Sequence, residues 1–255
     1  MNLNASPADQ AVEDTFRRLA TATDVFERYT HPHAARLADL TDALAQIFNL
    51  PEHDRRSLRI AALAHDLGEA KMQRDYIHLQ LPASLSADER MDLARHPVIG
   101  EQEAARNGAD KAAQLLVRWH HEWWNGNGYP DGLRHEQIPV AARILRVCDA
   151  FAALTDDRPY RPALTLDEAR RHLTDWAGLE FDPRIVQAFL ALNDAQLIRS
   201  YAGEAAIVKE ETAVPAESEP VVETPVVASS PEAVIPSVAE TPEPDATSHA
   251  MFSDH

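Results

Sequence analysis

The sequence is poor in glycine, cysteine and positive charge, and each shortage excludes a class of protein. Its 255 residues include only 8 glycines, which favours helices because Gly is a poor helix former. The single cysteine, Cys148, cannot form an internal disulfide, so a disulfide-stapled secreted scaffold is excluded and a reducing compartment is expected. The 24 Lys and Arg stand against 41 Asp and Glu, for a net charge of −17. This balance argues against a nucleic-acid partner bound through its phosphates.

Long apolar runs are also absent. No stretch approaches the roughly 20 apolar residues that a membrane-spanning helix needs. The N-terminus has neither the basic region nor the apolar core of a signal peptide. We therefore expect no membrane span and a cytoplasmic location. The length of 255 residues suits one large domain or two small ones, with enough material for a buried core.

The negative charge is concentrated at the C-terminus. Residues 204–255 contain 11 acidic residues and one lysine, a net of −10 out of the total of −17. The same segment holds 7 of the 17 prolines, which keep a chain extended. Such a segment buries too little apolar surface to offset its ordering entropy, so we predict a disordered acidic tail. It either serves solubility or docks a protein partner through Ala250, Met251 and Phe252.

The rest of the chain carries apolar residues at helical spacing, and no segment shows the alternation typical of strands. The segment 125–132, with three glycines and one proline, is predicted to be a loop. The predicted fold class is all-α, with an N-terminal helix in residues 1–28 and one domain over 29–203. The predicted helices cover residues 8–28, 31–50, 54–66, 86–95, 110–122, 139–156, 165–177 and 182–193.

Histidine and aspartate residues at the predicted helix ends suggest a metal site. His65-Asp66 closes a helix and offers one imidazole and one carboxylate to the same hollow, and a carboxylate can bridge two cations. The adjacent pair His120-His121 is hard to explain as core filler, because each buried ring nitrogen needs a partner. Asp149 lies in an apolar helical stretch, where a carboxylate needs a cation or a hydrogen-bond network.

The order of these residues resembles the HD superfamily of metal-dependent phosphohydrolases over about residues 29–190. The loop Gly128-Tyr129-Pro130, which follows the histidine pair, narrows the resemblance to the HD-GYP family. The resemblance implies a helical HD-domain bundle. Its motifs are His33 with Arg36, His65-Asp66, His96-Pro97, His120-His121, Asp149, Arg158-Pro159-Tyr160-Arg161 and Phe181-Asp182-Pro183.

HD-GYP proteins bind two or three iron or manganese ions and hydrolyse cyclic di-GMP to pGpG, in some cases onward to GMP. The resemblance implies that Arg158 and Arg161 contact phosphate, and that the loop around Tyr129 shapes the substrate site or contacts a GGDEF-domain protein. Mixed imidazole and carboxylate ligands suit Fe or Mn. The resemblance assigns His33, His65, Asp66 and Asp149 to one metal and His96, His120 and His121 to a second, with Asp66 bridging both.

Two positions depart from the family pattern. Tyr29 stands where the family often has a Glu that binds a third metal, and a phenol with a pKa of about 10 is a poor ligand at neutral pH, so we expect two metals. Glu69 stands where the family has a Lys that assists the phosphate. Glu69 could act as an acid or base, contact a metal, or take no part.

These departures leave three hypotheses about function. The first is a metal-dependent phosphodiesterase acting on cyclic di-GMP, and the second is a degenerate member that binds cyclic di-GMP or a GGDEF-domain protein without turnover. The third is an HD phosphohydrolase acting on another nucleotide. The remaining histidines are expected to be exposed and without a chemical role; they are His31, His53, His78, His135, His172, His249 and His255.

Overall fold

The computed structural model of the protein describes residues 6–72 and 84–193. These residues form α-helices, a short 3-10 helix at His135–Gln137 and no strand, which confirms the predicted all-α class. No helix among them is long and apolar enough to cross a membrane. The ten helices are α1 Pro7–Phe26, α2 His33–Ile47, α3 Glu52–Ala64, α4 Leu67–Met72, α5 Ala87–Leu93, α6 His96–Arg106, α7 Lys111–Trp119, α8 Val140–Thr155, α9 Leu166–Asp175 and α10 Pro183–Leu190.

Helix starts follow local capping chemistry. The Ser86 side chain accepts a hydrogen bond from the backbone N–H of Glu89, and the Glu89 carboxylate accepts from the Ser86 N–H, so a capping box starts α5. Pro97 lies in the first turn of α6, where its missing N–H costs nothing. Two helices, α5 and α6, therefore follow residue 86, and neither α6 nor the short helix α4 is among the predicted helices.

The helices bury one apolar core, in which α2 packs on α3 and α8 while α6 packs on α4 and α7. Burial of each large core side chain contributes about 1.5–3 kcal/mol. This packing brings helix ends together, because α2 and α6 start where α3 and α7 end. His33 and His96 are the first residues of α2 and α6, and His65 and His120 directly follow α3 and α7.

The contact between α4 and α6 requires glycine at position 68. A Cβ atom built on Gly68 would lie 2.0 Å from the backbone oxygen of His96 and 2.9 Å from the backbone nitrogen of Gly100. We expect Gly68→Ala to lower the free energy of unfolding by about 1–3 kcal/mol, because the backbone of α6 must move away. Denaturant unfolding measures this loss.

Gly100→Ala is the matched control for Gly68→Ala. The nearest atom to a Cβ at Gly100 is Cγ1 of Val117, at 3.0 Å, which is a side-chain atom that can shift. The control should therefore lose less stability. An equal or larger loss in Gly100→Ala would contradict the backbone clash at Gly68.

The predicted tail and its docking end at Ala250, Met251 and Phe252 lie outside the described residues. The predicted division into 1–28, 29–203 and 204–255 therefore stays a prediction. Within the described part, α1 packs on α2, α3 and α4.

Candidate metal centre

Four buried histidines, His33, His65, His96 and His120, each have one ring nitrogen fixed by a hydrogen bond. For three of them the partner is the carbonyl oxygen three residues earlier, which lies 2.9 Å from Nδ1 of His65, 2.8 Å from Nδ1 of His96 and 2.6 Å from Nδ1 of His120. A carbonyl can only accept, so each Nδ1 carries the proton. Nε2 of each of these rings is then the nitrogen available to a metal, through its lone pair in the neutral ring.

The free ring nitrogens meet around two aspartates. The ligand atoms of Asp66, His96, His120 and His121 all lie within 4.8 Å of one another, and so do those of the group His33, His65 and Asp149. Asp66 joins the two groups, since its Oδ2 lies 2.8 Å from Nε2 of His65 and its Oδ1 lies 3.4 Å from Nε2 of His96. The structure thus brings together all seven residues that the sequence predicts as ligands.

The arrangement of Nε2 atoms fits divalent cations. Nε2 of His96 and Nε2 of His120 lie 3.2 Å apart, and both are lone-pair acceptors, so a cation between them removes their repulsion. Nε2 of His33 and Nε2 of His65 are buried and make no well-aligned hydrogen bond, although Oδ1 of Asp149 lies 3.7 Å from each of them and Oδ2 of Asp66 lies 2.8 Å from His65. Buried polar atoms without partners are rare, which supports a ligand role for these nitrogens.

The carboxylates of Asp66 and Asp149 favour the binding of cations at this site. Burial lowers the pKa of His65, but Asp66 and Asp149 outweigh it and raise this pKa to about 10. Burial tends to raise the pKa of Asp66, yet the facing His65, His120 and His96 hold it well below its usual range. The same field that holds a proton on His65 favours a metal ion there, so metal binding displaces protons.

His33 is oriented by a carboxylate that sequence reasoning did not identify. Nδ1 of His33 donates to Oδ2 of Asp156 at 2.9 Å, and Nη1 of Arg36 donates to Oδ1 of the same residue at 2.7 Å. All three side chains are buried. Burial lowers the pKa of His33, while Asp149 and Asp156 outweigh it and raise the pKa overall. The spacing of His33 and Arg36, three residues apart, reflects this shared partner.

A cavity of about 360 Å³ opens onto the two ligand groups. Glu69 lines it, with Oε1 lying 3.6 Å from Nδ1 of His96. Arg158 also lines it, and its guanidinium carbon lies 3.8 Å from the ring centroid of Tyr29. Tyr29 in turn stacks on His33, with ring centroids 4.0 Å apart and an interplanar angle of 9°. Burial raises the pKa of Tyr29 well above its ordinary value, so the phenol stays neutral.

The Gly128-Tyr129-Pro130 loop folds over His121. The Tyr129 ring stacks on the His121 ring, with centroids 4.8 Å apart, and the Tyr129 N–H donates to the His121 carbonyl at 3.1 Å. Glu122 holds the loop, because its carboxylate accepts from the backbone N–H groups of Asp131 and Leu133. Tyr129 is therefore placed to fix His121, and it is not among the residues that line the cavity.

Arg161 is not among the residues that line the cavity, although it contacts two of them. Its guanidinium donates to the carbonyl oxygens of Ala153 at 2.7 Å and Leu154 at 3.0 Å, near the C-terminal end of α8. The structure thus places Arg158, but not Arg161, on the lining of the cavity. Arg161 satisfies helix-end carbonyls, which is a structural role.

The cavity lining also includes polar residues that the sequence pattern did not single out, among them Glu27, Arg146, His172 and Glu180. The expectation that His172 is exposed was wrong. Its ring is half-buried and stacks on Trp176, with centroids 5.9 Å apart. His53 and His135 are exposed as predicted, whereas His78, His249 and His255 lie outside the described residues.

Comparison with known proteins agrees with this architecture. The signature of the HD domain family matches residues 22–185. The chain is 36% identical over 184 residues to the cyclic di-GMP phosphodiesterase response regulator RpfG of Xanthomonas campestris, across 71% of this chain and 48% of that protein. It is 29% identical over 174 residues to the 3'3'-cGAMP-specific phosphodiesterase 2 of Vibrio cholerae, across 68% of this chain and 33% of that protein.

The fold also matches a solved structure. The crystal structure of the cyclic GMP-AMP specific phosphodiesterase V-cGAP3 of V. cholerae aligns with a TM-score of 0.60 and 19% identity, over 80% of this chain and 54% of that one. The chain thus spans about half, or less, of the length of the curated relatives it matches. Since the HD signature covers more than half of the sequence, and the Gly128-Tyr129-Pro130 loop packs against the histidine pair, the chain belongs to the HD superfamily and, within it, to the HD-GYP family.

Proposed function

We propose that the protein is a metal-dependent phosphodiesterase that hydrolyses cyclic di-GMP to pGpG with two iron or manganese ions. The observation that carries the proposal is the pair of His/Asp ligand groups, joined by Asp66, at the base of a cavity. When bound, such ions polarise a phosphoryl oxygen and lower the pKa of water. The activities of the relatives, on cyclic di-GMP and 3'3'-cGAMP, are consistent with it.

The residues of this chain would bind the ions and orient the substrate. His33, His65 and Asp149 would hold one ion, and His96, His120 and His121 the other, with Asp66 shared between them. Mixed imidazole and carboxylate ligands suit Fe or Mn.

Arg158 would bind the scissile phosphate. Its Nη1 is buried without a hydrogen-bond partner among the described residues, and guanidinium groups pair well with phosphate. Stacking on Tyr29 holds the guanidinium in place. Tyr29 thus has a role at this site other than binding a third metal, which supports a count of two ions.

The direct test is anaerobic purification, metal analysis and a hydrolysis assay with chromatographic separation of pGpG and GMP. We expect about two Fe or Mn ions per chain and pGpG as the product, as the two ligand groups imply. A protein that contains both ions but leaves cyclic di-GMP intact would overturn the proposal.

Two other functions rest on specific observations. Glu69 places a negative charge in the cavity, which favours a member that binds the nucleotide or a GGDEF-domain protein without turnover. Tight binding in calorimetry with no product would support it. The 3'3'-cGAMP-specific relative favours hydrolysis of a different cyclic dinucleotide. A substrate panel that includes 3'3'-cGAMP and mononucleotides separates this function from the leading one.

Replacement of Glu69 by lysine is expected to increase kcat/KM for cyclic di-GMP about 10-fold. Glu69 shares the cavity with four other carboxylates and only two guanidinium groups, and the substrate carries two phosphates. A unit charge about 8 Å away contributes about 0.5 kcal/mol at the dielectric constant of water, about 80, and the replacement changes the charge by two units, so substrate binding should gain about 1 kcal/mol, close to 10-fold.

Glu136→Lys is the control for Glu69→Lys, because Glu136 is exposed and the change in net charge is the same. Its kcat/KM should stay within about 2-fold of the wild type, since distant surface charges are screened. A collapse of turnover in Glu69→Lys would instead identify Glu69 as a catalytic carboxylate.

A further inference from the structure

A charged pair lies on the cavity wall next to the candidate metal ligands. Arg146, on α8, donates from Nη1 to Oδ2 of Asp149 at 3.1 Å and from Nη2 to Oε1 of Glu180. The side chains of Arg146 and Glu180 are 15% and 9% exposed, so both are largely withdrawn from water. Arg146 thus links Glu180 to Asp149, a residue that would bind a metal.

The position of Glu180 is fixed by the main chain around it. Its carbonyl accepts from the Trp124 N–H at 3.0 Å, and its N–H donates to the Trp176 carbonyl at 3.1 Å. The next residue, Phe181, is anchored in the core at 1% exposure. The Glu180 carboxylate is therefore a preorganised acceptor that faces the cavity, with the guanidinium donors of Arg146 beside it.

This donor–acceptor pair matches the edge of one nucleobase. Guanine presents the acceptor O6 beside two donors, N1–H and N2–H, so a carboxylate can accept both hydrogens while a guanidinium donates to O6 or N7. Adenine offers the same carboxylate one donor, its 6-amino group, and otherwise faces it with an acceptor. A buried carboxylate that faces an acceptor in place of a donor lacks a hydrogen bond, so the complex with adenine is weaker.

We propose that Glu180, positioned by Arg146, is a guanine-reading residue of the substrate site. The inference rests on the proposed function, and it makes the cyclic dinucleotides that contain guanine the substrate class. Because each cavity has one such residue, the substrate needs a guanine at only one of its two bases. A mixed guanine–adenine cyclic dinucleotide would therefore still be accepted, whereas cyclic di-AMP would be rejected.

The experiment compares kcat/KM of the metal-loaded full chain on cyclic di-GMP, 3'3'-cGAMP and cyclic di-AMP. For the wild type we expect cyclic di-GMP to exceed cyclic di-AMP by at least about 100-fold, as for a site built to hydrogen-bond its substrate. 3'3'-cGAMP should lie between them. Wild-type hydrolysis of cyclic di-AMP at a rate similar to cyclic di-GMP would overturn the inference.

Glu180→Gln tests the carboxylate itself. A glutamine amide supplies one acceptor and one donor, a set that pairs well with adenine, so the ratio of cyclic di-GMP to cyclic di-AMP activity should fall at least about 10-fold. Glu180→Asp keeps the charge that pairs with Arg146, and this variant should retain the guanine preference. If Glu180 only anchors its segment to α8, both activities fall in parallel and the ratio does not change, which would overturn the inference.

The two proposals fail in different ways. If Glu180→Gln hydrolyses cyclic di-GMP with an unchanged base preference, only the proposed role of Glu180 in reading guanine is overturned. If the wild type hydrolyses none of these nucleotides, the proposed activity is overturned. The base preference is then measured by calorimetry, as the ratio of the dissociation constants for cyclic di-GMP and cyclic di-AMP. Equal affinity of the wild type for cyclic di-GMP and cyclic di-AMP, or no binding of either, would overturn the reader as well.

Discussion

Replacement of Asp66 by alanine should remove both metal ions together. Oδ2 of Asp66 lies 2.8 Å from Nε2 of His65, and Oδ1 lies 3.4 Å from Nε2 of His96 and 3.6 Å from Nε2 of His120, so this carboxylate serves both ligand groups. We expect the metal content to fall from about two ions per chain to near zero, and hydrolysis to fall at least about 1,000-fold.

Elemental analysis of the purified protein measures the metal loss in Asp66→Ala. Asp88→Ala is a matched control, because Asp88 is an exposed carboxylate in the first turn of α5. Its metal content should equal that of the wild type. Retention of either ion in Asp66→Ala would mean that Asp66 does not bridge the two groups.

Replacement of Asp156 by alanine should weaken both the fold and the site. The Asp156 carboxylate pairs with Arg36, whose side chain is 2% exposed, and a buried guanidinium without its partner costs about 3–5 kcal/mol. Asp156 also fixes the ring of His33 through Nδ1, and loss of such a partner weakens metal affinity by about 10–100-fold. Denaturant unfolding and metal titration measure the two effects.

Two further variants control for cavity formation and position. Asp156→Asn keeps the volume and one acceptor, so it should lose less stability while still weakening the metal site, and it remains measurable if the alanine variant does not fold. The exposed neighbour Asp157 should tolerate alanine with little change in metal affinity. Unchanged metal affinity in both Asp156 variants would contradict the role of Asp156 in orienting His33.

Part of the ligand set, His65-Asp66, His120-His121 and Asp149, could be predicted from local sequence, whereas His33 and His96 followed from the resemblance to the HD-GYP family. His65-Asp66 and His120-His121 are adjacent pairs at helix ends, and the helix pattern places those ends at one side of the core. The short helix α4 could not be predicted, because six residues around Gly68 carry too little periodicity to stand out.

The contacts between residues of the cavity wall could not be predicted from the sequence, for a different physical reason. Arg146 and Glu180 are 34 residues apart, and they meet only because the segment before α10 packs against α8. Likewise, the motif that contains Arg161 does not reveal that its guanidinium donates to the end of α8. Contacts of this kind depend on tertiary packing and leave no periodic signal in the chain.

The carbonyl partners of His65, His96 and His120 have a consequence for how quickly the site can accept an ion. Each ring is held by the carbonyl three residues before it, within its own helix or turn, so its tautomer is selected when that short piece of chain folds. The rotational freedom of these rings is then lost during folding and not at the moment of binding. An arriving ion meets ring nitrogens that already face the site, and its capture need not wait for rearrangement of these rings.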